Sequence, residues 1–242
     1  MSLCIGMFFE NVRLATGTAF VVSSNIGPLL ITNRHNVTGR NNLTGELLDE
    51  KHAAIPDRIV VRHNKQGSLG DGVERLELLY NADGEPRWFE HPTLGAKVDV
   101  VALPLTSLDG VSLLPYDLNN PNSEFRVGPA DPLSVIGFPF GRTGGGSLAI
   151  WATGFVASEI DIGYENLPQF LIDCRTRKGQ SGSPVVAYRP KGRVFMKDGD
   201  LCTSNGENFR IFGVYSGRIN EESDIGIVWK ISVVQDLVRS LT

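Results

Sequence analysis

Ser181 lies in KGQSGSPVV, residues 178–186, where small residues lead into an apolar run. A serine hydroxyl is a poor nucleophile at neutral pH. It needs a base to take its proton, and the base needs a third group to orient it. Four histidines are available, and His35 stands out by context. In LLITNRHNV an apolar run leads straight into it, which would hold the imidazole at a strand end. His52 lies in a charged segment, and His63 and His91 end runs that read as exposed strands. For the third group, Asp99 heads the apolar run KVDVVALPL. An acid entering a core requires a partner, because an unpaired buried charge is costly. An imidazole N–H would serve. Together the three could carry acyl transfer in the order His35, Asp99, Ser181, with the division of labour of a Ser-His-Asp triad. Taken singly, each also has a bland reading: a solvated histidine, a satisfied acid, a glycine-rich turn.

The elements that would position them are short and β-rich. GTAFVV and PLLIT come first, then DRIVVRH, ERLELLY and PRWFEH, the last two joined by the hairpin signal NADGE. DVVALPL, PLSVIGF, LAIWATGFVAS, QFLIDC, SPVVAYR, FRIFGVYSG and DIGIVWKI follow. About a dozen such strands with few helical stretches indicate an all-β barrel or sandwich architecture. The clearest helix is the tail. SVVQDLVRSL places Val233, Val234, Leu237, Val238 and Leu241 on one face, with Ser232 positioned to cap it. A seam falls in the polar PYDLNNPNSEFRVGPAD near the centre. The glycine cluster GFPFGRTGGGS lacks the G-K-[ST] ending of a phosphate loop and opens no helix, so it reads as a mobile loop.

Composition narrows the function further. The chain has 242 residues, a formal net charge of −4 and a pI near 5.6, so no basic surface points to nucleic acid. No apolar run approaches the roughly 18 residues of a membrane helix, and the N-terminus does not read as a signal peptide. Cys4, Cys174 and Cys202 are too few and too scattered for a disulfide framework or a metal site, which fits a reducing cytoplasm. Neither metal nor cofactor is expected. Two N-x-T sequons, at Asn36 and Asn42, would matter only in a secretory pathway.

The chain resembles the trypsin/chymotrypsin-fold serine proteases, within them the bacterial trypsin-like and HtrA-like branch, without a PDZ domain. GTAFVV…LLITNRHNV is similar to G-[ST]-G-F…[IL]-T-x-x-H-V, DVVALPL to D-[IV]-A-[LV]-L, and VGPADPLSVIGFPFG to the start of the family's second barrel. ATGFVAS, KGQSGSPVV and IFGVYSG continue the series, with G-[ND]-S-G-[GS]-P as the pattern for the serine. The resemblance implies two six-stranded antiparallel β-barrels and a C-terminal α-helix. Residues 1–118 would form the barrel that carries His35 and Asp99. Residues 119–242 would form the barrel with Ser181, the specificity pocket and the terminal helix. It implies an oxyanion hole from the backbone N–H groups of Gly179 and Ser181, glycines that keep the loop clear of substrate, and Ser216 beside Asp99. Pocket walls would be Arg175, Thr176, Tyr215, Ser216, Gly217 and Arg218.

The largest departure from the family pattern is Gln180, where proteolytically activated members carry an Asp that pairs with a new N-terminal amine. Gln cannot make that ion pair, so clipping is not the expected activation. Arg175 stands where trypsin-type enzymes hold the pocket-floor acid, which argues against a basic P1 residue. An acidic P1 and a small neutral pocket both remain open. The expectation is a cytoplasmic serine endopeptidase acting on polypeptide substrate by an acyl-enzyme mechanism. A partner-gated or inactive protease-fold binding module in a multi-protein bacterial system is the alternative, which leaves room for a regulatory protein partner. A Ser-triad esterase uses the same residues, but Pro184 and the His–Asp–Ser order argue against an α/β-hydrolase. The sequence leaves the oligomeric state open.

Overall fold

The computed structural model describes residues 1–49, 51, 53–118, 125–220 and 222–241. His52 and the centre of the proposed seam, residues 119–124, lie outside them. Seven strands build the first sheet: β1 (Ser2–Phe9), β2 (Val12–Ser24), β3 (Gly27–Thr32), β4 (Arg58–Lys65), β5 (Gly72–Leu78), β6 (Val101–Pro104) and β7 (Val111–Ser112). Their order is β5-β4-β1-β2-β3-β6, all antiparallel, with β7 extending β4. A one-turn helix, α1 (Arg34–Thr38), follows β3. The second half runs β8 (Pro132–Gly137), β9 (Ile150–Val156), β10 (Gln169–Asp173), β11 (Pro184–Arg189), the separate hairpin β12 (Gly192–Phe195) and β13 (Leu201–Ser204), then β14 (Asn208–Arg218), β15 (Ile225–Lys230) and α2 (Ile231–Arg239). Six of these strands close into a barrel in the order β10-β15-β14-β11-β8-β9.

The first half differs from the six-stranded barrel that the resemblance implied. Its outer strands are joined by isolated bridges through residues 86–89 rather than by a full ladder. Pro86 bridges Tyr80 just past β5, and Phe89 exchanges two hydrogen bonds with Ala102 of β6. PRWFEH therefore supplies bridges instead of a strand. The NADGE turn does form, with the Asn81 side chain accepting from the N–H groups of Asp83 and Glu85.

Three apolar clusters explain why the strands read as continuous apolar runs. Successive side chains of a strand point to opposite faces. On β2, Ala19 and Val21 fill the first sheet's interior while Phe20 and Val22 face the second barrel. On β11, Val185 and Ala187 fill the second barrel while Val186 faces the first. The shared cluster also takes Val233, Val234 and Leu237 of α2, the face expected from the sequence. Ser232 does not cap that helix: Lys230 is the N-cap and Ser232 lies inside the first turn. His63 and His91, read as exposed, are buried.

Candidate active site

His35 sits one residue into α1, directly after β3, rather than at a plain strand end. Gly39 closes the turn with φ +63° and donates its N–H to the His35 carbonyl at 3.0 Å. Asp99 precedes β6 and is 3% exposed. Three donors satisfy its carboxylate. The backbone N–H of His35 reaches Oδ1 at 2.9 Å, the His35 ring Nδ1 reaches Oδ2 at 2.7 Å, and the Ser216 hydroxyl reaches Oδ2 at 2.5 Å. Asn33 Nδ2 donates to the Asp99 backbone carbonyl at 2.6 Å, tying the two segments together. A carboxylate gripping Nδ1 fixes the tautomer and leaves Nε2 available as a base.

The Ser181 loop is held from two sides. The Lys178 carbonyl accepts from Phe140 N at 2.6 Å. C=O and N–H point in opposite directions in a trans peptide, so this bond aims the Gly179 N–H away from Phe140. On the other side, Thr18 Oγ1 donates to the Gly179 carbonyl at 2.8 Å and accepts from Phe138 N at 3.1 Å. Thr18 N and Asn36 Nδ2 both donate to the Ser181 carbonyl, at 2.9 and 3.3 Å. Among the described residues nothing accepts from the N–H of Gly179 or Ser181. Those are the donors that an oxyanion requires.

The glycines have a different cause from the expected clearance for substrate. A Cβ at Gly182, where φ is +87°, would stand 2.1 Å from the Thr18 carbonyl oxygen. A Cβ at Gly179, where φ is +96°, would stand 2.5 Å from the Phe138 carbonyl oxygen. Close approach to β2 and to the 138–141 turn demands them. The glycine cluster is correspondingly anchored: Phe138 and Phe140 bond as above, and Ser147 N donates to Gly70 O at 2.6 Å.

Ser216 is the extra residue of a β-bulge. Tyr215 pairs with Val228 and Gly217 with Ile227, leaving Ser216 unpaired on β14. Bulges re-aim side chains beside functional sites. Here the bulge turns the Ser216 hydroxyl to Asp99 and its carbonyl to Ser181, whose hydroxyl donates to it at 3.1 Å. Among the described residues no hydrogen bond joins Ser181 Oγ to His35.

The family model for the trypsin-like peptidase domain matches residues 17–195, a span that contains His35, Asp99 and Ser181. The chain belongs to the trypsin-like peptidase family. The solved structure of the serine endoprotease from Yersinia pestis aligns with a TM-score of 0.54 at 15% identity, over 99% of this chain and 62% of that one. A protease from M. tuberculosis in its active form aligns with a TM-score of 0.50 at 16% identity, over 98% of this chain and 79% of that one. The chain thus spans under two thirds of the Yersinia protein. At these identities the likeness shows the fold, which is chymotrypsin-like. No curated protein sequence matches the chain.

Within that family frame, two cavities border His35. One, of about 310 Å³, is lined largely by apolar residues, among them Met7, Leu14, Leu48 and Pro56, and reaches His35, Gly179 and Ser181. The other, of about 250 Å³, is lined by Ser216, Gly217, Arg218, Gln169 and Trp229. Of the expected pocket walls, Ser216, Gly217 and Arg218 therefore face a cavity that His35 and Asp99 also line. Arg175 does not: it is exposed and lines neither cavity. Thr176 and Tyr215 are buried and hydrogen-bonded to each other through their hydroxyls. Gln180 is 1% exposed, with Oε1 accepting from Arg177 N at 2.7 Å and Nε2 without a partner among the described residues.

The sequence missed Thr18, Phe140 and the bulge at Ser216. Their signal is a long-range contact that no local pattern carries. Asn36, the first sequon, is buried, and its amide bonds Thr32 and the Ser181 carbonyl instead of offering a glycan site. The described residues hold no group of three or more His, Cys, Asp or Glu arranged for a metal, and none of their helices is long and apolar enough to cross a membrane.

Proposed function

We propose that the protein is a serine endopeptidase that cleaves polypeptides through Ser181, His35 and Asp99. The observation that carries this reading is the Asp99 carboxylate holding His35 through both its ring and its backbone N–H. Ser181 Oγ attacks the scissile carbonyl while His35 Nε2 takes the proton and later returns it to the leaving amine. Asp99 stabilises the imidazolium, and the N–H groups of Gly179 and Ser181 receive the oxyanion. Losing one such donor typically costs about 3–4 kcal/mol of transition-state stabilisation. For this mechanism the Ser181 hydroxyl turns from the Ser216 carbonyl to His35, a rotation about a single χ1 bond.

Gln180 supports formation of the oxyanion loop without N-terminal clipping. Its carbonyl already accepts a backbone bond, and it carries no charge for a new amine to pair with. Three unpaired thiols, Cys4, Cys174 and Cys202, support a cytoplasmic setting. The second reading, a partner-gated site, is favoured by one observation: the nucleophile's hydroxyl is held by Ser216 and not by the base. A regulatory protein that reorients Ser181 would then complete the triad. The test is hydrolysis of an unfolded protein substrate by wild type, Ser181→Ala and His35→Ala. Cleavage by wild type alone supports the endopeptidase. Equal residual cleavage by all three refutes it.

A further inference from the structure

Two of the expected wall positions, Thr176 and Tyr215, are closed against each other. Tyr215 projects from β14 on the face opposite Ser216, into the second barrel's core. Its ring lies against β15, where a Cβ at Gly226 would stand 2.5 Å from Tyr215 Cε2. Glycine at 226 is what admits the ring. The phenol meets the Thr176 hydroxyl on the segment leading to Ser181. Thr176 is 0% exposed and Tyr215 2%. Walls of an open pocket would be wetted, and these are not. Burial also pushes the Tyr215 phenol up to about 12, so it stays neutral and bonded at any physiological pH.

We infer that Tyr215, locked by Thr176, fills the space where a substrate's P1 side chain would otherwise go, so that cleavage follows Gly, Ala or Ser and large or charged P1 residues are rejected. The inference rests on the endopeptidase reading above and names its substrate class. Arg175, exposed and outside both cavities, then has no P1 group to meet, and an acidic P1 is not selected. Rejection is steric: a Phe, Leu or Arg side chain would have to displace the buried Tyr215 ring, and overpacking a filled site forces strained rotamers or backbone shifts. Discrimination of roughly 100-fold in kcat/KM between Ala and Phe at P1 is the expected scale for a pocket-size difference.

The experiment profiles a peptide library varied at P1 with wild type, Tyr215→Ala and Tyr215→Phe, alongside labelling by a minimal fluorophosphonate with no P1 group. The expected result is fluorophosphonate labelling together with cleavage after Gly, Ala and Ser. Tyr215→Ala should gain cleavage after Leu and Phe, and Tyr215→Phe, which keeps the ring, should retain the wild-type profile. If Tyr215→Ala does not fold, the wild-type profile alone decides. Labelling with wild-type cleavage after Phe, Leu, Arg or Glu at rates near Ala overturns the inference and leaves the triad standing. Absence of labelling overturns the endopeptidase reading and the inference with it.

Discussion

Thr18→Val removes one hydroxyl and nothing else of consequence in volume. Thr18 is fully buried, and its Oγ1 serves the Gly179 carbonyl at 2.8 Å and the Phe138 N–H at 3.1 Å. The valine leaves one carbonyl and one amide buried without partners. Each unsatisfied group costs about 1–3 kcal/mol, so the loss is about 2–6 kcal/mol of stability. In a chain of this size about 2–4 °C of melting temperature goes with each kcal/mol, and the midpoint should fall by about 4–24 °C. The same change frees the peptide that carries an oxyanion donor, so acylation should slow by roughly 10- to 100-fold even well below the melting temperature. Thermal unfolding and the rate of fluorophosphonate labelling measure the two effects. A variant that melts and labels as wild type does would refute the clamp between β2 and the Ser181 loop.

Three other variants probe the same frame. Gly182→Ala forces a non-glycine residue to φ +87° with its Cβ against Thr18 O, so it should lose about 2 kcal/mol from backbone strain alone and lose labelling, read by melting and by probe uptake. Ser216→Ala deletes one of three donors to Asp99, and should slow acylation roughly 10-fold with the fold intact, as measured by labelling kinetics beside a melting curve. His63 is buried, with neither ring nitrogen bonded among the described residues, and desolvation lowers its pKa to about 4. The unfolded chain, with a His pKa near 6.5, binds the proton more readily. Stability tied to His63 is therefore complete above pH 6.5 and is lost as pH falls from about 6.5 to about 4, by about 2–3 kcal/mol. His63→Leu should flatten that slope in urea melts across this range, and an unchanged slope would exclude His63 as its source.

The strands and the pairing of His35 with Asp99 are legible because their signals are local. Apolar runs with turn residues between them mark strands, and His35 and Asp99 each sit at the edge of such a run. What the sequence did not carry is geometry made by distant segments. The Thr18 clamp spans 161 positions and the Ser216 bond to Asp99 spans 117. In β1 small and sulfur-containing residues break the alternation, and the β12–β13 strands are only four residues long, mostly exposed and without a sustained apolar run. Arg175 was assigned to a pocket by position alone. In the segment after β10, Thr176 is buried while its neighbours Arg175 and Arg177 are exposed, a burial pattern that position in a family motif does not carry.

The central claim is that Ser181 is a nucleophile activated by His35. Intact mass spectrometry after fluorophosphonate treatment, with the adduct located by peptide mapping, tests it most directly. One adduct per chain on Ser181 in wild type, absent in His35→Ala at equal folding, is the predicted result. An adduct on another serine, or labelling of Ser181 that survives His35→Ala at the wild-type rate, would contradict it.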